Sequence, residues 1–171
     1  MAKTRRSPKS LRVPKSRKGQ LRLLEQYPPE NPFLPGTSYR AALVLGENLC
    51  EEAKRILMER EAASSVLEAL GMRFARRGEW KDFEALYARR PQIRWRLAVD
   101  LGGAELDLPQ PVRELFLKDP DPKVRKACAE WHLTEEEEVL LARDPDPEVR
   151  LALASRVRTP RAFALLLQDA S

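Results

Sequence analysis

From Thr37 onward the apolar residues recur every three or four positions, the spacing that gathers them on one face of an α-helix. Leu49, Ala53, Ile56 and Leu57 share such a face in LCEEAKRILMER, with Asn48 as the expected N-cap. Ser38 caps a helix predicted from Tyr39 to about Leu45; Ser64 or Ser65 opens SVLEALGMRFARR, which Gly78 ends. Two further helices follow, EWKDFEALYARR and, after Pro91, QIRWRLAVDL, closed by Gly102 and Gly103. No alternating apolar and polar stretch competes with them, so the expected class is all-α. Upstream the pattern stops. YPPENPFLPGTS, residues 27–38, holds four prolines and a glycine in 12 residues and reads as an extended linker. LRLLEQ before it reads as one short helical turn. The opening MAKTRRSPKSLRVPKSRKGQ has too little apolar surface to offset the entropy of ordering it. The predicted organisation is a disordered tail over 1–22, a Pro-rich linker over 23–38, a helical part over 39–90 and repeats over 91–171.

The repeats are visible as an offset of 25 residues, which aligns Asp119, Pro120, Asp121 and Pro122 with Asp144, Pro145, Asp146 and Pro147. Val124, Arg125, Ala127 and Ala129 then fall on Val149, Arg150, Ala152 and Ala154, and Thr134 falls on Thr159. A fixed period means units that bury their apolar faces only by stacking on their neighbours. The first Asp-Pro stops one helix. In the second, Asp121 or Asp146 is the N-cap and Pro122 or Pro147 occupies N1, where no N–H is missed. Thr134 with Glu137 forms the Thr-x-x-Glu capping box of a second helix, and Thr159 with Pro160 opens its counterpart. A looser copy sets Ile93, Arg94, Leu97 and Ala98 on Val124, Arg125, Cys128 and Ala129, with GGAELD as an insertion.

The run LARDPDPEVRLALASRVRTPRAFALLL resembles the leucine-rich repeat variant, a short-period relative in logic of HEAT repeats; the resemblance is strongest over 115–171. It implies a short right-handed α-solenoid of helix pairs. Members of that family can carry a four-cysteine iron–sulfur module, but this chain has only Cys50 and Cys128, so no cofactor is expected. A weaker resemblance, over 32–78, is to a small helix-turn-helix domain with Ser65 to Arg77 as recognition helix.

Charge adds what the pattern does not. Lys3, Arg5, Arg6, Lys9, Arg12, Lys15, Arg17, Lys18 and Arg22 occupy the first 22 residues without one acid, whereas the remaining 149 residues carry 22 basic and 26 acidic groups. Such a segment points to a polyanion, DNA or RNA, or a nucleoprotein complex. Between Arg73 and Arg96, eight basic residues face three acids. Arg73, Arg76, Arg77, Arg89 and Arg90 are the candidates there for phosphate contact, against a local reading in which cations simply favour helix C-termini. Arg94, Arg125 and Arg150 recur beside the repeated aspartates and read first as an Asp–Arg ladder, second as a phosphate-reading row. Trp95 and Trp131 stand at variable repeat positions and read first as residues that fill gaps in the core, second as candidate anchors for a protein partner. Trp80 beside Phe83 reads as core, Cys128 as a buried packing thiol and His132 as half-buried. Glu135 to Glu138 read as first-turn acids.

No phosphate-binding glycine loop, activated nucleophile or zinc ligand set emerges. The expected function is therefore a non-enzymatic binding protein associating with nucleic acid. A protein–protein adaptor is the alternative, and a HEAT-like DNA glycosylase a remote third. Free cysteines suit the cytoplasm, no run spans a bilayer, no small-molecule substrate is implied, and the oligomeric state is left open.

Overall fold

The computed structural model describes residues 13–30, 37–104 and 106–169. Among them are eleven α-helices and no strand: α1 (Arg17–Gln26), α2 (Thr37–Leu45), α3 (Glu51–Arg60), α4 (Ser64–Arg77), α5 (Trp80–Arg89), α6 (Pro91–Gly102), α7 (Gln110–Leu117), α8 (Pro122–Cys128), α9 (Glu135–Ala142), α10 (Pro147–Ala154) and α11 (Pro160–Asp169). The all-helical expectation holds. The chain divides into two compact units, residues 1–73 and 74–171, so α5 belongs with the repeats.

In the first unit, α1 corrects the expectation of disorder up to residue 22 and of a linker from residue 23. Ser16 caps the helix by accepting from the Gly19 N–H at 3.2 Å, and Leu23 and Leu24 are buried where α1 packs on α2 and α3. Gln20 completes the attachment. Its buried amide donates to the Asn48 carbonyl and its Oε1 accepts from the Cys50 N–H at 2.8 Å. Held in this way, residues 48–50 stay out of the helix; α3 begins at Glu51 behind Cys50, not behind Asn48. Across the unit's interior Arg40 and Glu61, both fully buried, pair at 2.7 Å and 3.1 Å. Glu61 also accepts from the Ala62 and Ala63 amides.

The helix expected to read a groove, α4, is buried at Val66, Leu67, Leu70, Met72, Phe74 and Ala75. Ser64, Ser65, Arg76 and Arg77 at its ends are the exposed remainder. It is built as a core helix and presents no continuous exposed face along its length. Gly78, at φ 69°, ends it as expected.

In the second unit the repeat pattern becomes two layers. The first helices pack in the order α6, α8, α10, and the second helices in the order α7, α9, α11. Aligned positions share one environment: Ile93, Val124 and Val149 are buried, as are Leu97, Cys128 and Leu153. Each linker between units works as the sequence predicted. The Asp121 carboxylate accepts from Lys123 N–H at 2.9 Å and Asp146 from Glu148 N–H at 2.8 Å, with Pro122 and Pro147 at the first helical position. Thr134 and Glu137 make the predicted capping box.

An aromatic chain runs through the start of this unit. Phe83, Tyr87, Phe116 and Trp131 meet in turn, Tyr87 and Phe116 at 4.7 Å and Phe116 and Trp131 at 5.3 Å between ring centroids. Trp131 therefore fills the core, the first of its two readings, and is not the candidate anchor that the sequence also offered. Its indole N–H donates to the Ala98 carbonyl at 2.9 Å, and its ring lies so close to Gly102 that a Cβ there would come within 2.6 Å of it. Alignment misled because Arg156, its counterpart, is an exposed residue paired with Glu130 at 2.5 Å. The space for the indole is opened by Gly102, which belongs to the insertion that the other linkers lack. His132 is likewise exposed, not half-buried.

Candidate nucleic-acid interface

Of the nine cations in the opening segment, Lys3, Arg5, Arg6, Lys9 and Arg12 lie outside the described residues. The other four are placed by α1. Burial of Gln20, Leu23 and Leu24 fixes the rotation of the helix, which turns Lys18 and Arg22, one turn apart, to solvent on one face; Lys15, also exposed, precedes the N-cap Ser16. Arg17, also exposed, contacts Glu52 of α3. Lys15, Arg17 and Lys18 surround the N-terminus of α1, the positive end of the helix dipole, where cations are disfavoured. The pair with Glu52 gives Arg17 a structural role, whereas helix stability does not account for Lys15 and Lys18.

The basic residues at 73–96 have separate surroundings. Arg73 donates to the carbonyls of Val44 at 3.1 Å, Gly46 and Glu47, which are orphaned at the C-terminus of α2, so it is a structural cap and no longer a phosphate candidate. Arg76 and Arg77 are exposed in the last turn of α4, with Arg77 paired to Glu79 at 3.2 Å. Arg89 is exposed in the last turn of α5, and Arg90 is half-buried at the junction with α6. For Arg76, Arg77 and Arg89 the favourable dipole at a helix C-terminus is a sufficient local reason.

The repeated arginines are committed to the fold. Arg94 donates to the Tyr87 carbonyl at 2.9 Å and the Ala88 carbonyl at 3.2 Å, lies over the Tyr87 ring and reaches Asp119 at 3.3 Å. Arg125 grips Asp144 with two bonds of 2.7 Å and 2.8 Å, and with its remaining nitrogen donates to the carbonyls of Asp119 and Pro120. Arg150 repeats the last contact on Asp144 and Pro145. The ladder expected from the sequence is present at Arg94–Asp119 and Arg125–Asp144, and Arg150 holds the backbone of the same linker. Asp119 and Asp144 do a second job, accepting from the N–H of the following Asp121 and Asp146 at 2.8 Å and 2.9 Å. Burial works against the Asp144 carboxylate, but Arg125 and the Asp146 amide more than reverse it and hold its pKa below the usual range. Burial and the hydrogen bond to Asp119 push the Tyr87 phenol up, and burial does the same to the Cys128 thiol. Cys128 donates to the Val124 carbonyl and is a packing residue, as predicted.

Sequence reasoning missed two linked acids. Glu137 and Glu138 are buried, not merely first-turn acids. Glu137 pairs with Arg113 at 2.6 Å and 2.7 Å, and Glu138 accepts from the Arg158 and Thr159 amides and the Thr159 hydroxyl. The capping box was a signal for the first; nothing in the repeat marks the second, since its counterpart is Phe163.

Trp95 stands apart from all these networks. It is half-exposed on α6, and with Val99, Lys123, Lys126, Ala127, Glu130 and Ala152 it lines a shallow cavity of about 500 Å³ across the first-helix layer. Among the described residues no group of three or more His, Cys, Asp and Glu side chains could hold a metal ion, and no helix is long and apolar enough to cross a membrane. No family model, curated protein or solved structure matches the chain.

Proposed function

We propose that this is a non-enzymatic helical-repeat protein that associates with nucleic acid or a nucleoprotein complex through its basic N-terminal segment and the exposed face of α1, the repeats being of the leucine-rich-repeat-variant type. The observation that carries the reading is the placement of Lys15, Lys18 and Arg22. They continue an acid-free basic segment and are all exposed; Lys18 and Arg22 share one solvent face of α1, and Lys15 and Lys18 flank the helix end that disfavours cations. Phosphate oxygens are the ligand that would turn that cost into a gain.

The test is fluorescence anisotropy of the full chain on labelled duplex DNA and single-stranded RNA across a salt series. Engagement of six to nine cations on duplex predicts log K falling with log salt at a slope of roughly −5 to −8. Replacing Lys15, Lys18 and Arg22 together by glutamate, at exposed positions that leave the fold intact, should reduce the slope by about 3 and weaken binding to all sequences alike. Absent or salt-insensitive binding to both nucleic acids would overturn the proposal.

A protein-interaction adaptor is the second reading, favoured by Trp95, a large aromatic left half-exposed beside Val99. In that case Trp95→Ala would abolish a co-purifying protein that survives nuclease and high salt, while the salt slope on DNA stays unchanged.

A further inference from the structure

One repeat position is exposed in all three helices of the first-helix layer. It is filled by Trp95 in α6, Lys126 in α8 and Leu151 in α10, and Trp95 is 50% exposed. Beside Trp95 the surface is hollow because the neighbouring helices contribute small residues there, Ala127 and Ala152, and Val99, one turn on from Trp95, extends the apolar shelf. The charged groups of the hollow come from α8: Lys123, Lys126 and Glu130. Glu130 is matched by Arg156 at 2.5 Å. Lys126 shares an exposed pair with Glu148 at 2.9 Å, of the kind that holds weakly and that a stronger anion displaces. Lys123 is exposed and pairs with no acid among the described residues. The hollow therefore offers a flat aromatic face next to uncompensated positive charge, and the ligand that answers both is an anion carrying a planar ring.

We propose that this hollow holds an unpaired nucleotide of single-stranded nucleic acid, its base stacked on the Trp95 indole and its phosphate at Lys123 and Lys126. The site presupposes association with nucleic acid through the basic segment, and it adds what cations alone do not supply, a choice of strand. In a duplex each base face is covered by the next base pair, so the indole gains nothing from it; an unpaired base of any identity has a free face to stack. Packed helices lie about 8–10 Å apart. Lys126, in register with Trp95 on the adjacent helix, is thus within the span that a sugar-phosphate and a lysine side chain cover together. Glu148 acts against the ligand by holding Lys126, which gives the site a residue whose removal should improve it.

Fluorescence anisotropy of the full chain on a labelled single strand of about ten nucleotides, and on the duplex of the same sequence, tests this. Trp95→Ala should weaken single-strand binding about 5- to 100-fold, the loss of one base stack, while its salt slope and the duplex affinity stay unchanged; Trp95→Tyr should retain most of the wild-type affinity. Lys123→Gln should reduce the single-strand salt slope by about 0.7. Glu148→Gln, which releases Lys126, should tighten the single strand, a gain that no folding defect imitates. Trp95→Ala that weakens neither ligand, or both equally, overturns the proposal and leaves binding by the basic segment standing. Equal affinity for free adenosine monophosphate also overturns it, as does an unchanged strand affinity when Trp95→Ala releases a bound protein. The variant with Lys15, Lys18 and Arg22 replaced by glutamate separates the two readings: single-strand binding that persists there and still depends on Trp95 removes the segment's role and keeps this site. A wild-type chain that binds neither nucleic acid removes both.

Discussion

Several residues contradict the rule that charge marks a surface, and the structure gives each a reason. Arg40 lies at the same three- and four-residue spacing as Leu43 and Val44, all three buried in α2, so its position on the core face was legible from the sequence. Its partner was not, since Glu61 follows α3 and no local pattern links the two. A buried pair of this kind is costly to break and cheap to replace as a whole. Glu61→Gln should lower the unfolding free energy by about 3 kcal/mol or more, whereas Arg40→Met combined with Glu61→Leu should cost distinctly less than the sum of the single changes. Urea denaturation of the two single variants and the double variant makes the comparison, and additive losses would remove the case for coupling. Trp131 shows the opposite failure: an aromatic read as a possible anchor because its counterpart is charged.

At the scale of elements, helix starts and stops were legible in the Asp-Pro linkers and at Gly78, whereas the expected caps Asn48 and Ser38 were displaced, α3 starting behind Cys50 and α2 already at Thr37. The second aspartate and second proline of each linker cap and open the next helix, and the 25-residue offset corresponds to the stacked pairs. What local chemistry could not show was attachment over distance. Residues 17–22 read as part of the tail and LRLLEQ as a single helical turn leading into the linker, yet Gln20 bonded to residues 48–50 and two buried leucines suffice to dock a ten-residue helix. The ladder makes a graded prediction. Arg125 holds three segments at once and is largely buried, so Arg125→Ala should cost about 3 kcal/mol, while Arg96→Ala, which loses only the exposed pair with Asp100 at 3.1 Å, should cost less than about 1 kcal/mol. Chemical denaturation followed by circular dichroism separates the two, and equal losses would mean that the ladder does not join the units energetically.

For the molecule as a whole, the separation of charge between the opening segment and the rest was plain in the sequence, and so was the helical class. The placement of buried acids was not, and they bear on how the protein should respond to acid. Asp144, Glu137 and Glu138 all titrate below their ordinary values of 3.8, 4.5 and 4.5, in each case because neighbouring donors outweigh burial. Unfolding lets each rise to its ordinary value, so the unfolded chain binds more protons and stability increases with pH through that range. The contribution is complete above about pH 5.5 and is lost as pH falls through the ordinary carboxylate range toward the lowered native values. Melting temperature should be nearly level from about pH 8 to 6 and fall steeply below about 4.5. Asp144→Asn should start lower at neutral pH and show a shallower acid decline, and an identical slope would mean that this carboxylate is not part of the response. The close approach of Gly102 and Trp131 has a consequence on another timescale. Neither position is free to drift alone, because any side chain at 102 collides with the indole and any smaller residue at 131 leaves a void beside Phe116. Across descendants of this chain the two should vary as one character, glycine with tryptophan or neither.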